Sequence, residues 1–280
     1  MATYESIQSA TVDDSNSLTI TKPTGLAVGD LMVAGIFCDR DSGAGPISLN
    51  TPSGWTLEES VALSSNNAAL AIYTKIAESA DVAASNFTFT AGFSTGQYMI
   101  GHILRFSSPG SNRGGTSGIA NQGATTQTLD GFTPTSSATH ILFTVIAAAS
   151  VNGNYTSVSY ATDNPTWTER GDTNEQGNTT DATLAVYTST RSETTATGTI
   201  TTTFSEDVAS DRGAIAVLAY STQTNGSVSP ETKVNAYSFS PIQSAVVDAI
   251  VNEPTGVVSN PTEWTNESET STTWTNESQP

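Results

Sequence analysis

Apolar and polar residues alternate with period two along much of the chain, and the alternation predicts strands. Leu70, Ile72 and Ile76 alternate with Ala71, Tyr73 and Lys75, as in a strand with one face buried. Leu18 and Ile20 alternate with Thr19 and Thr21 and place a first strand within residues 5–22. Leu31 to Phe37 is continuously apolar, the mark of a central strand buried on both faces. Phe87-Thr88-Phe89-Thr90 is a short alternating strand, and Tyr98 to Phe106 a long one. Lys22-Pro23-Thr24-Gly25, Val28-Gly29-Asp30 and Pro52-Ser53-Gly54 supply turns, and Asp39 to Gly45 a loop. Roughly seven or eight strands result, the number found in sandwiches and jelly rolls.

The pattern then repeats. Pro52-Ser53-Gly54-Trp55-Thr56-Leu57-Glu58 and Ala69-Leu70-Ala71-Ile72-Tyr73-Thr74 return as Pro165-Thr166-Trp167-Thr168-Glu169 and Thr183-Leu184-Ala185-Val186-Tyr187-Thr188. The tryptophans lie 112 positions apart (167 − 55) and the tyrosines 114 (187 − 73), so the spacing differs only within the polar gap between them. A repeat this long reads as a duplicated domain, because solenoid units are much shorter. Leu129 answers Leu18, and Ile141 to Ala149 answers Leu31 to Phe37. Thr199 to Thr203 answers Phe87 to Thr90, and Gly213 to Tyr220 answers Tyr98 to Phe106. Pro109 to Gly118, rich in Gly and Ser, reads as the linker between the copies. Trp55 and Trp167 read either as plugs between two sheets or as platforms for a sugar ring.

After Tyr220 the pattern changes. Thr222 to Ser229 is a polar linker. Ser240-Pro241-Ile242-Gln243 has the form of a helix start, with Ile242, Ala245, Val246, Ala249 and Ile250 on one face. A strand across the same valines is the alternative. Trp264-Thr265-Asn266-Glu267-Ser268 then recurs as Trp274-Thr275-Asn276-Glu277-Ser278, ten positions on (274 − 264). Tryptophans in a polar tail imply a partner that covers them, the other reading being a disordered acidic tail.

Composition sharpens this picture. Apolar residues make up 36% and charged residues 13% of 280 residues, and helix-forming runs are almost absent, as in an all-β protein rich in turns. The net charge of −18 comes from having only 9 Lys and Arg, and it disfavours nucleic-acid binding. Such a surface suits docking on a basic patch of another protein. The N-terminal residues Met1 to Ser6 lack the basic and apolar regions of a signal peptide, and no apolar run reaches membrane-spanning length. The expected setting is therefore a cytoplasm. Cys38, the single cysteine, ends an apolar run and reads as a buried thiol.

Catalytic chemistry finds little support. His102 and His140 are the only histidines, neither is repeated in the other copy, and no Gly-x-Ser-x-Gly elbow accompanies them. Asp39-Arg40-Asp41-Ser42-Gly43 faintly resembles the start of a calcium loop but lacks the distal Glu and carries Arg40 within it, so it reads as a solvated loop. Glu206, Asp207 and Asp211 read as a solvated loop tip. Carboxylate pairs are too common in so acidic a chain to mark a glycosidase. No cofactor and no metal is expected.

Lys22 to Ala34 (Lys-Pro-Thr-Gly-Leu-Ala-Val-Gly-Asp-Leu-Met-Val-Ala), then Pro52 to Leu57 and Ala71 to Ala77, resembles a pattern common in structural proteins of tailed bacteriophages. The Trp-Thr-Asn-Glu-Ser repeats resemble the C-termini of such proteins. The resemblance covers most of the first copy and the tail. The second copy joins it only through the internal repeat, with Thr139-His140 where the first has Gly29-Asp30. It implies a β-sandwich virion component and brings no catalytic residues.

The sequence thus predicts an all-β chain of two tandem antiparallel β-sandwiches, jelly-roll or immunoglobulin-like, at residues 1–109 and 110–224. An extended assembly segment with one short helix follows at 225–280. The expected function is structural, as a capsid decoration protein or head fibre at the virion surface, assembled in the host cytoplasm. The expected partners are the major capsid protein or another virion protein and further copies of this chain, with no nucleic acid and no membrane. Ile242, Val246, Ile250, Trp264 and Trp274 are the expected partner-binding residues, each contributing about 1.5–3 kcal/mol once covered. The alternatives are a tail-fibre module gripping a cell-surface glycan, with Tyr155 and Tyr160 among its aromatics, and a glycan-active enzyme.

Overall fold

The computed structural model describes residues 2–40, 47–63, 68–92, 97–119, 126–134, 140–148, 155–161, 166–176, 181–191, 195–204 and 213–222. The helix and Trp repeats expected after residue 225, with all five expected partner-binding residues, lie outside these.

The described chain is all-β and antiparallel. Its first half contains β1 (Thr3–Val12), β2 (Ser17–Thr21), β3 (Leu31–Arg40), β4 (Thr56–Leu63), β5 (Ala68–Ile76), the short helix α1 (Ser79–Ala83), β6 (Asn86–Thr90) and β7 (Gln97–Ser107). The second contains β8 (Pro109–Ile119), β9 (Thr126–Leu129), β10 (His140–Ala148), β11 (Tyr155–Tyr160), β12 (Thr168–Gln176), β13 (Asp181–Arg191), β14 (Ile200–Phe204) and β15 (Gly213–Thr222). The first half forms an inner sheet in the order β1-β7-β3-β5-β4 and an outer pair β2-β6. The second forms an inner sheet in the order β8-β15-β10-β13-β12 and an outer sheet β9-β14-β11. The two inner sheets therefore follow one strand order.

Register matches as closely as order. Thr56 pairs with Thr74 and Leu57 with Tyr73, after which the ladder skips Glu58 and resumes at Glu59 opposite Ile72. In the second half Thr168 pairs with Thr188 and Glu169 with Tyr187, then Arg170 is skipped and Gly171 meets Val186. Each half thus carries a β-bulge at the same place, with Glu58 in one and Arg170 in the other.

Three apolar layers hold these four sheets together. Leu18, Ile20, Phe87 and Phe89 of the first outer pair pack on Met32, Ala34, Ile36 and Tyr73 of its inner sheet. Leu142, Ile146 and Tyr187 pack with Ile200 in the second half. Between the two inner sheets, Leu31, Val33, Phe37, Leu70 and Ile72 meet Ile141, Phe143, Val145, Leu184 and Val186 in one continuous core. Successive residues of β3 and β10 therefore bury opposite faces, which is why both read as unbroken apolar runs. Gly35 belongs to this contact, because a Cβ there would stand 2.9 Å from the methyls of Val145. Met1–Thr222 is accordingly one compact unit.

Several expectations change. Residues 109–118, read as a linker, belong to β8, an edge strand paired along β15. Glycines give that pairing no side-chain signature. The strand adopts a bulge where Gly114, at φ 104°, takes a backbone conformation that side chains rarely allow. Strand β5 buries both faces rather than one, since Ala69, Ala71 and Tyr73 meet the outer pair, while Ile76 is exposed. Residues 5–22 hold two strands, not one, and Asp39 is buried within β3 rather than placed in a solvated loop. The five-residue α1 closes on Glu78 N–H donating to Asp81 Oδ2 at 2.9 Å, and Lys75 pairs with Asp81 at 2.6 Å.

Trp55 is buried at 8% exposure, edge-on to Phe87 and Phe89 with centroids 5.7 and 5.2 Å away, and so takes the plug reading. Trp167 is half-buried against the matching core of the second half. Cys38 is fully buried, as a thiol at the end of an apolar run should be.

His102, on β7, points into the core between the inner sheets at 1% exposure. Its Nε2 lies 3.2 Å from the Leu184 carbonyl oxygen, the neutral ring donating across the halves. Burial lowers its pKa to about 4, with that hydrogen bond opposing. The unfolded ring titrates near 6.5, so its contribution to stability is complete above that pH and is lost as pH falls toward 4. The loss is on the order of 3 kcal/mol. Urea unfolding at pH 7.5 and 4.5 should show a smaller acid-induced fall in midpoint for His102→Gln than for the parent chain. An equal fall in both would contradict a neutral buried ring.

Candidate functional site

The two inner sheets meet at two junctions that exchange when the halves are exchanged. At one, β4 borders β8, and the Ser117 hydroxyl donates to the Ser60 carbonyl at 3.1 Å. At the other, β12 borders β1, and Arg170 lies over the Tyr4 ring, its guanidinium carbon 4.0 Å from the centroid. Each junction carries one of the two bulges. A bulge turns a side chain out of the regular alternation, which is how Glu58 and Arg170 come to face the seam between the halves.

The matched positions have opposite chemistry. Glu58 accepts a hydrogen bond from the Thr74 hydroxyl. Nearby, burial pushes the Tyr220 hydroxyl up; a hydrogen bond with Thr74 opposes this, and the Glu58 carboxylate adds to it. Burial likewise raises the half-buried Glu59, with a hydrogen bond from Ser117 opposing and the Glu58 charge adding. Arg170 instead donates from Nε to Thr188 Oγ1 at 2.7 Å. Thr188 corresponds to Thr74 in the register, so one threonine position serves an acid in one half and a base in the other.

Beside Arg170 opens a groove of about 550 Å3. Its apolar lining comes from Ala2, Phe106 and Ile141, and its polar lining is mostly threonine hydroxyls from Thr3, Thr166, Thr168 and Thr190. Ser189 also lines it, with its hydroxyl donating to the Thr166 carbonyl at 2.7 Å. No carboxylate lines the groove among the described residues. It therefore offers hydrogen bonds and one fixed positive charge. Other described cations are engaged elsewhere: Lys75 pairs with Asp81, Arg105 with Asp30, and Arg191 donates to the Thr195 and Ala196 carbonyls.

Sequence reading did not single out Arg170. The signal lies in the repeat itself, where Trp55-Thr56-Leu57-Glu58 aligns with Trp167-Thr168-Glu169-Arg170, a reversal of charge in a chain with few cations. Of the residue types able to carry catalysis, His102 is a buried neutral ring and His140 begins β10. The side chains of Tyr155 and Tyr160, and the whole of Glu206, Asp207 and Asp211, lie outside the described residues. No three His, Cys, Asp or Glu residues cluster to hold a metal among the described residues, and none of their helices is long and apolar enough to cross a membrane. Comparison with protein-family models, curated proteins and solved structures returns no match.

Proposed function

We propose that this protein is a non-enzymatic structural component of a phage particle, a decoration protein or head fibre on the outer capsid surface, attached through residues 225–280. The observation that carries this reading is the role the fold gives to the residues of the phage-like pattern. The Asp30 carboxylate accepts the Ala27 N–H at 2.8 Å and the Arg105 Nε–H at 2.6 Å, and its carbonyl accepts the Ala77 N–H at 2.8 Å. Trp55 and Tyr73 fill the first core. The pattern therefore maintains a scaffold, and none of its residues lines the groove at Arg170. Stacked sheets on a strongly acidic chain are suited to standing in solvent on a large assembly. The tail-fibre reading gains support from that groove, which offers a ligand a place the scaffold does not require.

Copy number separates the two. Quantitative mass spectrometry of purified particles should find this protein in copies on the order of those of a capsid surface lattice. A handful of copies per particle would move it to the tail.

A further inference from the structure

We propose that the groove at Arg170 binds a sugar that carries a carboxylate, such as a uronic acid unit of an acidic polysaccharide. The proposal stands on the lining of the groove and does not depend on where the protein sits on a particle.

The first argument is that the fold of this junction does not need an arginine. The same bulge in the first half is filled by Glu58, turned onto Thr74. At the second bulge the side chain is a cation, held at Nε by Thr188 and laid over Tyr4. Its two terminal nitrogens make no hydrogen bond to the described residues. A guanidinium held at one nitrogen and one face keeps the paired donors that match a carboxylate in a bidentate contact.

The second argument is the match between groove and ligand. A pyranose uronate has an apolar C–H face, a rim of hydroxyls and one carboxylate. The groove supplies an apolar floor in Ala2, Phe106 and Ile141, threonine hydroxyls on its walls, and one guanidinium. Its volume of about 550 Å3 falls within the ~300–1,000 Å3 of small-molecule sites. The two free terminal nitrogens of one guanidinium match the two oxygens of one planar carboxylate, which is what each uronate unit presents. An acidic peptide would share the carboxylate but would leave most of the hydroxyls without partners.

The test uses the full chain and a trimer of galacturonic acid, followed by NMR shifts and calorimetry. The uronate trimer should bind at least about tenfold more tightly than the neutral galactose trimer. Arg170→Gln should remove that preference, and added salt should weaken uronate binding more than galactose binding. Thr166→Val together with Thr190→Val, at exposed positions on the rim, should weaken both sugars while leaving the melting temperature unchanged. Glu58→Gln should alter neither affinity. Equal affinity for the two trimers, unchanged binding in the folded Arg170→Gln protein, or tighter binding of a glutamate-rich peptide than of the uronate would each overturn the proposal.

Discussion

A chain ending at Pro109 is expected to lose its ordered fold, although it contains every strand of the first half. The cut uncovers Leu31, Val33, Phe37, Leu70, Ile72, Ile100, Leu104 and Phe106, all buried in the core shared with the second half. Burial of such side chains contributes about 1.5–3 kcal/mol each. For eight side chains this comes to about 12–24 kcal/mol, as large as or larger than the ~5–15 kcal/mol by which a domain is stable. The isolated half should bind a hydrophobic dye, sediment as aggregates and show dispersed β signals only weakly by NMR. The chain 1–222 should be a folded monomer that unfolds in one transition. A sharp, monomeric, cooperatively unfolding 1–109 fragment would show that the halves are independent domains and that the common core contributes little.

Among single substitutions, Trp55→Ala should be one of the most damaging to stability. It removes the ring that meets Phe87 and Phe89 edge-on, beneath the Pro52–Trp55 turn. Truncation of a buried tryptophan costs about 3–5 kcal/mol. For a unit of this size that lowers the melting temperature by on the order of 10 °C. Trp167→Ala should cost less, because Trp167 occupies the equivalent position only half-buried. Urea titrations followed by circular dichroism measure both. An unchanged midpoint for Trp55→Ala would place that ring in a role other than packing.

What the sequence reveals and what it hides follow from the same physics. The apolar run from Leu31 to Phe37 announces a strand buried on both faces, because successive side chains must then all be apolar. The spacing of Trp55 and Tyr73 against Trp167 and Tyr187 announces a repeated register, and the ladders carry that register down to the bulge. Strand β5 misleads because alanines at 69 and 71 are small enough to pass for a polar-facing set, yet they sit against an outer sheet. Strand β8 is hidden because its cohesion is backbone pairing, which glycine and serine provide without any alternation. The packing of one half on the other is hidden because an inner-sheet face looks the same whether it meets its own half or its neighbour's. Arg170 is hidden because a bulge shifts one residue out of the period-two pattern by which a strand is recognised. The Trp-Thr-Asn-Glu-Ser repeats lie beyond the described residues, so their role rests on sequence alone.

Attachment through the C-terminal segment is the claim on which the functional account turns. The direct measurement compares the full chain with a chain ending at Thr222 for binding to particles stripped of this protein, with light scattering of each chain alone. Thr222 closes β15, so the shorter chain retains the whole four-sheet unit. The account predicts that it melts like the full chain, fails to bind the particles and scatters as the smaller species. Binding and association equal to those of the full chain would contradict the account and move the attachment surface onto the sheets.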